Sequence, residues 1–185
     1  KDNDDMYCPT FRYDMWNYLK SLGDNAPIND VIEVLETGQY SDKSKSVLEF
    51  FKDFPLDIPP EEWEEPCLRW PNSPSRQAYL DAVVNAMDEA QVDALIYPGW
   101  SNPPAHIDKG SEEYKGDNSQ IVAPATGLPA VVVPMGYWQD KLPAGLQILG
   151  RPYSEGLLIE LAYAYEQKTL HRRPPEGFGE LKAEK

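Results

Sequence analysis

The stretch Gly116-Asp-Asn-Ser-Gln-Ile-Val-Ala-Pro-Ala-Thr-Gly-Leu-Pro-Ala-Val-Val-Val-Pro-Met-Gly136 decides the fold, because a helix end, a turn and a buried strand follow one another in it. Gly127 comes after a run of small and apolar residues, and glycine readily takes the left-handed conformation that ends a helix. Pro129 lacks an amide hydrogen, which is tolerated at the first position of a strand. Residues 130–135 then have the length and the β-branched composition of a buried strand. The stretch therefore predicts a helix–turn–strand unit.

Two further apolar runs predict strands that pair with this one. Residues 93–97 form a run of strand length that ends at Pro98-Gly99. Residues 142–149 form another run, after a turn near Gln139-Asp140. We expect the second and third strands to place four alternate side chains in the interior of the sheet: Val131, Val133, Leu146 and Ile148.

Helices are predicted before and after these strands. Ser73-Pro74 is typical of an N-cap followed by proline in the first helical turn. The inward face of that helix comprises Tyr79, Leu80, Val83, Val84, Met87 and Ala90. Ser154 is expected to cap a last helix with Leu157, Leu158, Leu161, Ala162 and Tyr165 inward. Alternating helices and apolar strands indicate the α/β class, with a mixed β-sheet core that helices cover on both faces.

The first 75 residues predict short helices separated by prolines. Apolar residues recur at helical spacing from Phe11 to Leu22, in residues 31–35 up to Gly38, and in residues 47–54 before Pro55. An extended, proline-rich crossing follows. We therefore divide the chain into a helical, proline-rich segment (1–75), a helix–strand portion (76–175) and a tail (176–185).

The composition excludes several partners. The formal net charge of −14 disfavours nucleic acids and anionic membranes, which bind through Lys and Arg. No apolar run approaches the ~20 residues that span a bilayer. The two cysteines, Cys8 and Cys67, are too few for a disulfide framework and lack zinc-site spacing, so they leave the redox compartment open. The localisation therefore stays unknown.

The residues offer no self-contained active site. Residues 145–150 have the glycine spacing of a P-loop but lack its Lys-Ser/Thr ending. His106 and His171 are far apart and outside any zinc motif. The Ser-Lys alternation at residues 43–46 is interpreted as a solvated helix start, and the acidic residues 61–65 as a wet surface. We expect neither a metal nor a cofactor.

Several segments in order resemble the amidase signature family. The segments that carry the resemblance are Phe11-Arg-Tyr-Asp14 with Tyr18-Leu19, residues 93–98, residues 116–136, residues 142–150, and the helix 155–168 with its His171-Arg-Arg-Pro-Pro175 tail. The resemblance implies amide hydrolysis by a serine nucleophile, a second serine in a cis peptide and a lysine. The family carries these groups in a Gly/Ser-rich motif of its N-terminal half.

This chain contains no Gly-Gly and no Ser-Ser pair. The resemblance therefore implies that residues 1–185 are the C-terminal part of a single amidase domain, with no catalytic residue and no activity alone. The start at Lys1 fits a piece of something longer. Its partners would be the N-terminal part of the same amidase and a small-molecule amide, and its incomplete sheet would leave it oligomeric or marginally stable. The alternatives are a non-catalytic binding or scaffold subunit derived from the same fold, and an unrelated acidic α/β binding domain.

The resemblance also implies which residues form the wall of the substrate pocket. The candidates are Trp100, Asn102, Asn118 and Ile121, on the loop after the first strand and at the entrance to the next helix. Trp100 would supply an apolar surface for an acyl group, and Asn118 a hydrogen bond. Pro98-Gly99-Trp100 departs from the Pro-Thr that the family often has here, which leaves the substrate class open.

Overall fold

The computed structural model describes residues 7–116, 121–175 and 177–178. The chain forms two compact units, Lys1–Ala78 and Tyr79–Lys185. None of the helices in the described part of the chain combines the length and the hydropathy of a membrane span. Each unit is therefore considered by itself.

The first unit consists of short helices. They are α1 (Phe11–Ser21), α2 (Glu33–Thr37) and α3 (Asp42–Phe51), with 3-10 turns at Gly23–Asn25 and Pro60–Glu62. Gly38 ends α2 at a φ of 65°, a left-handed conformation that costs glycine little. The Ser41 hydroxyl caps α3 by accepting from the Lys43 amide. The predicted helices and their ends are confirmed here.

Arg12 connects separate segments of the first unit. Its guanidinium donates to the Asp30 carboxylate, with 2.6 Å between Nη2 and Oδ2. It also donates to the carbonyl of Phe54 at 2.9 Å and to that of Lys52. Both members of the ion pair are largely shielded from water, so the pair is stronger than an exposed one. The start of α1 is therefore fixed to the turn before α2 and to the end of α3.

Aromatic rings fill the space beside these helices. Phe11 packs on Phe51 with 5.1 Å between ring centroids, and Phe54 contacts both Phe51 at 5.9 Å and Trp63 at 5.7 Å. The Trp63 indole also donates to the Ile58 carbonyl at 2.9 Å. These tilted contacts, with the buried side chains of Leu19, Val31 and Leu48, form the apolar core of the unit.

A disulfide bond joins Cys8 to Cys67, with 5.6 Å between the two Cα atoms. The sequence did not predict this pairing, because two cysteines at a separation of 59 positions give no local signal. The bond closes most of the first unit into one covalent loop. It therefore restricts the unfolded chain and stabilises the helical unit, which otherwise has a small core.

Helix α4 (Pro74–Ala90) begins as predicted. The Ser73 side-chain oxygen accepts from the Arg76 amide at 3.3 Å, and the Ser73 carbonyl accepts from the Gln77 amide at 3.0 Å. Ser73 is buried, so this capping hydroxyl replaces the water that would otherwise bond to the first amides of the helix. Further along, Met87 is fully buried, as predicted for the inward face, whereas Ala90, also predicted inward, is exposed at the end of the helix.

The described residues of the second unit form a three-stranded antiparallel sheet with the order β1-β3-β2. The strands are β1 (Ala94–Pro98), β2 (Ala130–Trp138) and β3 (Leu142–Gly150). Val131 pairs with Ile148, and Val133 with Leu146. The turn has positive φ at Gln139 and Asp140, as its predicted position suggests. The α/β class is confirmed.

Helix α7 (Glu155–Thr169) covers one face of this sheet. Leu158 and Ala162 pack with Val133 and Ile148 in the core, and the half-buried Val131, Leu146 and Tyr165 surround them. Leu161, predicted inward, is instead 38% exposed, because the helix turns it away from the strands. The other helices of the unit are α5 (Gly110–Glu113) and α6 (Val122–Thr126), and Gly127 ends α6 at a φ of 72°.

The start of α7 differs from the expected cap. Ser154 occupies the N-cap position, but its hydroxyl donates to the Arg151 carbonyl at 2.7 Å instead of accepting from the helix. Gly150 explains the tight approach, since a Cβ there would lie 2.2 Å from the Ser154 Oγ. The bond therefore fixes the turn between β3 and α7.

Candidate functional site

A cavity of about 620 Å³ lies in the second unit, between the loop after β1 and the hairpin of β2 and β3. Its wall comes from residues 98, 100–105, 114–115, 135, 138 and 142–145. The volume lies within the range of small-molecule sites, roughly 300–1,000 Å³. The cavity is therefore large enough for an organic substrate with one ring.

Backbone forms the floor of the cavity. The Gly99 amide donates to the Gly145 carbonyl at 2.8 Å, one residue past the end of β1. A Cβ on Gly145 would lie 2.7 Å from Cγ1 of Val132, a distance that real side chains do not adopt. Glycine at this position is therefore required by the close approach of neighbouring strands. The floor is a continuation of the sheet and is correspondingly rigid.

A polar pair lies next to Gly99. Gln147 is buried, and its Nε2 donates to the Tyr97 hydroxyl at 3.1 Å. Burial raises the pKa of Tyr97, with a further contribution from Tyr79, while the bond from Gln147 opposes the rise. The phenol therefore stays neutral and holds the amide of Gln147 in a fixed direction.

The loop after β1 forms the outer wall. The rings of Trp100 and Tyr114 lie 6.1 Å apart and are tilted by 47°. The side-chain amide of Asn102 donates to the Gly116 carbonyl at 3.4 Å, a long hydrogen bond. Both contacts join the beginning of the loop to its end. They hold Trp100 at the cavity while leaving 40% of its surface exposed.

A second contact closes the loop farther from the sheet. The Glu113 carboxylate accepts from the His106 amide at 3.0 Å and lies 2.6 Å from Nδ1 of the same residue. The hydrogen bond from the His106 amide makes the largest contribution to lowering the pKa of Glu113, and the hydrogen bond with the His106 ring makes the next largest. His106 is largely exposed, as expected, and within the described ranges no three His, Cys, Asp or Glu side chains could hold a metal ion.

Two other rejected sequence motifs also lie on exposed surfaces. Residues 43–46 form the exposed first turns of α3. The acidic residues 61, 62, 64 and 65 are exposed, and Glu61 pairs with Arg69 at 3.1 Å. Neither group lines the cavity described above, and their exposure agrees with the interpretation from sequence.

The structure brings together two of the four residues proposed for the pocket wall. Trp100 and Asn102 both line the cavity. Asn118 lies outside the described residues. Ile121 is half-buried directly before α6 and is not among the described residues that line the cavity.

Sequence reasoning missed several wall residues, namely Tyr114, Lys115, Met135 and Trp138. Tyr114 and Lys115 belong to an irregular loop without periodicity. Met135 and Trp138 lie in and just beyond the predicted second strand, next to the predicted turn. An aromatic residue beside that turn was the signal that could have identified Trp138.

Known proteins resemble this chain over part of their lengths. A glutamyl-tRNA(Gln) amidotransferase subunit of Thermodesulfovibrio yellowstonii is 37% identical over 90 residues, which cover 46% of this chain and 19% of that protein. The corresponding protein of Moorella thermoacetica is 48% identical over 64 residues, covering 34% of this chain and 13% of that protein. The chain thus spans about a fifth or less of the length of these curated relatives.

Solved structures of amidases also match this chain over only part of their own lengths. The peptide amidase of Stenotrophomonas maltophilia aligns with a TM-score of 0.61 at 26% identity, over 90% of this chain and 33% of that one. An amidase family protein of Bacillus anthracis aligns with a TM-score of 0.63 at 21% identity, over 90% of this chain and 29% of that one, which shows the shared fold alone.

The family model described as Amidase matches residues 67–159, half of the chain. This range contains β1, the loop after it and the hairpin of β2 and β3. Every residue that lines the cavity falls inside it. The chain therefore belongs to the amidase signature family.

Proposed function

We propose that this chain is the C-terminal part of an amidase that hydrolyses carboxylic amides through a serine acyl-enzyme. The observation that supports the proposal is that the cavity lies wholly within the family-matched range, with Trp100 and Asn102 on its wall. In this function the chain supplies part of the sheet and one wall of the substrate pocket. The nucleophile and its base come from residues outside these 185.

The chemistry of amide hydrolysis indicates what this chain and the rest of the amidase would each contribute. An activated serine attacks the amide carbon, the amine leaves, and water releases the acyl group. The wall residues orient the amide: Trp100 provides a flat apolar surface, and Asn102 holds the loop that carries it. An apolar wall also excludes water and strengthens the electrostatic interactions that stabilise the oxyanion. Alone, the chain is expected to be inactive.

The proposed partner is the N-terminal part of the same amidase. Within the described sheet, β1 and β2 each have one edge that is not paired with another strand. Ile96 on β1 is 68% exposed and Val132 on β2 is 58% exposed. Such high exposure is unusual for β-branched apolar side chains on the strands of a complete domain. Strands from the rest of the domain would pair with these edges, and other segments of it would pack on the two faces that carry Ile96 and Val132.

The proposed substrate is a small amide. The curated relatives are named for an amidotransferase that acts on glutamyl-tRNA, but the net charge of −14 opposes contact between this chain and a polyanion. A cavity of about 620 Å³ suits a molecule with one ring.

A serine-directed fluorophosphonate tests the proposal. The reagent is added to the 185-residue chain alone and to the chain together with the preceding part of the domain, and hydrolysis of a generic aryl amide is measured in both. We expect labelling and hydrolysis only when both parts are present, with the labelled serine outside residues 1–185. A labelled serine within this chain would overturn the proposed division of labour. Absence of hydrolysis in the complete domain would favour the scaffold alternative.

A further inference from the structure

The wall of the cavity differs in charge from the rest of the chain. The chain has 31 acidic and 17 basic residues. Among the described residues that line the cavity, however, Lys115 is the one charged side chain and none is acidic. A strongly acidic protein repels anions from most of its surface. The wall beside Lys115 is therefore a place where a negative group on a ligand is attracted.

Large aromatic surfaces lie in the same wall. Trp100 is 40% exposed and Trp138 is 49% exposed, although both line the cavity. Met135 and Leu142 add apolar surface between them along the hairpin. Exposed indole rings in a concave site favour a flat apolar ligand, because its ring removes their surface from water.

The position of Lys115 is set by the loop. Tyr114, its neighbour in sequence, makes a tilted ring contact with Trp100, and Gly116 on its other side accepts the hydrogen bond from Asn102. Lys115 thus lies between two residues that are each fixed to the beginning of the loop. Its side chain therefore lines the cavity on the same loop as Trp100.

We propose that the cavity selects amides that carry a negative charge at the end away from the reacting group, and that Lys115 is the residue that selects them. The ligand class is an aromatic or aliphatic amide with a carboxylate. The inference rests on the amidase function proposed above for the amide end only. Recognition of the carboxylate depends on Lys115 and can be measured without turnover.

Three benzamides of similar size test the inference. They differ only in the para substituent: para-carbamoylbenzoate is an anion, para-acetylbenzamide is neutral and para-(aminomethyl)benzamide is a cation. Affinity is measured by calorimetric titration at neutral pH on the complete domain, in which the proposed nucleophilic serine outside these 185 residues is replaced by alanine so that no amide is hydrolysed. We expect the anion to bind about fivefold more tightly than the neutral compound and the cation to bind most weakly, as for a partly exposed ion pair. Raising the ionic strength from about 0.05 M to about 0.5 M should reduce the preference.

Two matched variants locate the effect. Lys115→Gln should remove the preference for the anion, and Lys115→Arg should keep it. Lys109→Gln removes an exposed lysine of the same loop that does not line the cavity, so it should leave the preference unchanged. Circular dichroism confirms that each variant is folded. Equal affinities for the three compounds, or an equal loss in both glutamine variants, would overturn the inference.

The two proposals fail separately. If para-carbamoylbenzoate binds preferentially but the complete domain does not hydrolyse its amide, the amidase proposal fails and the selection by Lys115 stands. If the complete domain hydrolyses the neutral and anionic amides with the same KM, the selection fails and the amidase proposal stands.

Discussion

Reduction of the Cys8–Cys67 bond should destabilise the helical unit by a large and calculable amount. The bond joins residues 59 positions apart, so it closes a loop of about that many residues. In the chain-entropy model, cross-linking a loop of this length removes about 14 cal/mol/K from the unfolded chain, or about 4 kcal/mol at 25 °C. Because a single domain is stable by only about 5–15 kcal/mol, the loss is a considerable fraction of the total.

Urea unfolding with and without a reducing agent measures this loss. With a urea slope of about 2 kcal/mol/M, the midpoint should fall by about 2 M in the reduced protein. The indole NMR signal of Trp63 resolves the unfolding of the first unit, since its ring packs on Phe54 within the loop. The double variant Cys8→Ser, Cys67→Ser is the control, and it should unfold at the reduced midpoint whether or not the reductant is present. If wild-type midpoints coincide with and without reductant while alkylation confirms that the bond was opened, the entropic argument is wrong.

Three further changes test the site. Trp100→Ala should raise the KM of the complete amidase about tenfold with a smaller effect on kcat, because the substrate loses a flat apolar contact. Equal KM values for the wild type and the variant would refute the role of Trp100 in the wall. Gly145→Ala should lower the free energy of unfolding by about 1–3 kcal/mol in a urea titration, since its Cβ would meet Val132; an unchanged midpoint would contradict this. The pKa of Glu113 is lower in the folded chain than in the unfolded chain. Its hydrogen bond to His106 therefore stabilises the loop fully when the pH is above the unfolded pKa, and this stabilisation is lost as the pH falls through the lower, folded pKa. An NMR titration of the Glu113 side chain should show that midpoint below the usual range near 4.3, and an ordinary midpoint would exclude the bond.

The sequence predicted the regular elements because their signals are local. Gly38 and Gly127 end helices through a conformation that glycine adopts easily, and Ser73 caps α4 with its own hydroxyl. The apolar runs identified all three described strands, and the alternation within them identified the side chains that α7 covers. Each of these features depends on residues a few positions apart.

The features that the sequence could not predict depend on residues that are distant in the chain. The pairing of Cys8 with Cys67 requires the path of the intervening helices. Lys115 reaches the cavity wall because the loop folds back on Trp100 and Asn102, and that fold has no period.

The two sides of the cavity are held by interactions of different strength, and this difference has a functional consequence. The floor depends on a 2.8 Å backbone bond from Gly99 and on the buried Gln147 next to that residue. The outer wall depends on a 3.4 Å bond from Asn102, one tilted ring contact and an exposed pair at His106. Local opening requires less free energy where contacts are few and exposed. Substitutions in the loop should therefore alter which amide is bound without unfolding the sheet, whereas substitutions in the floor should alter stability first.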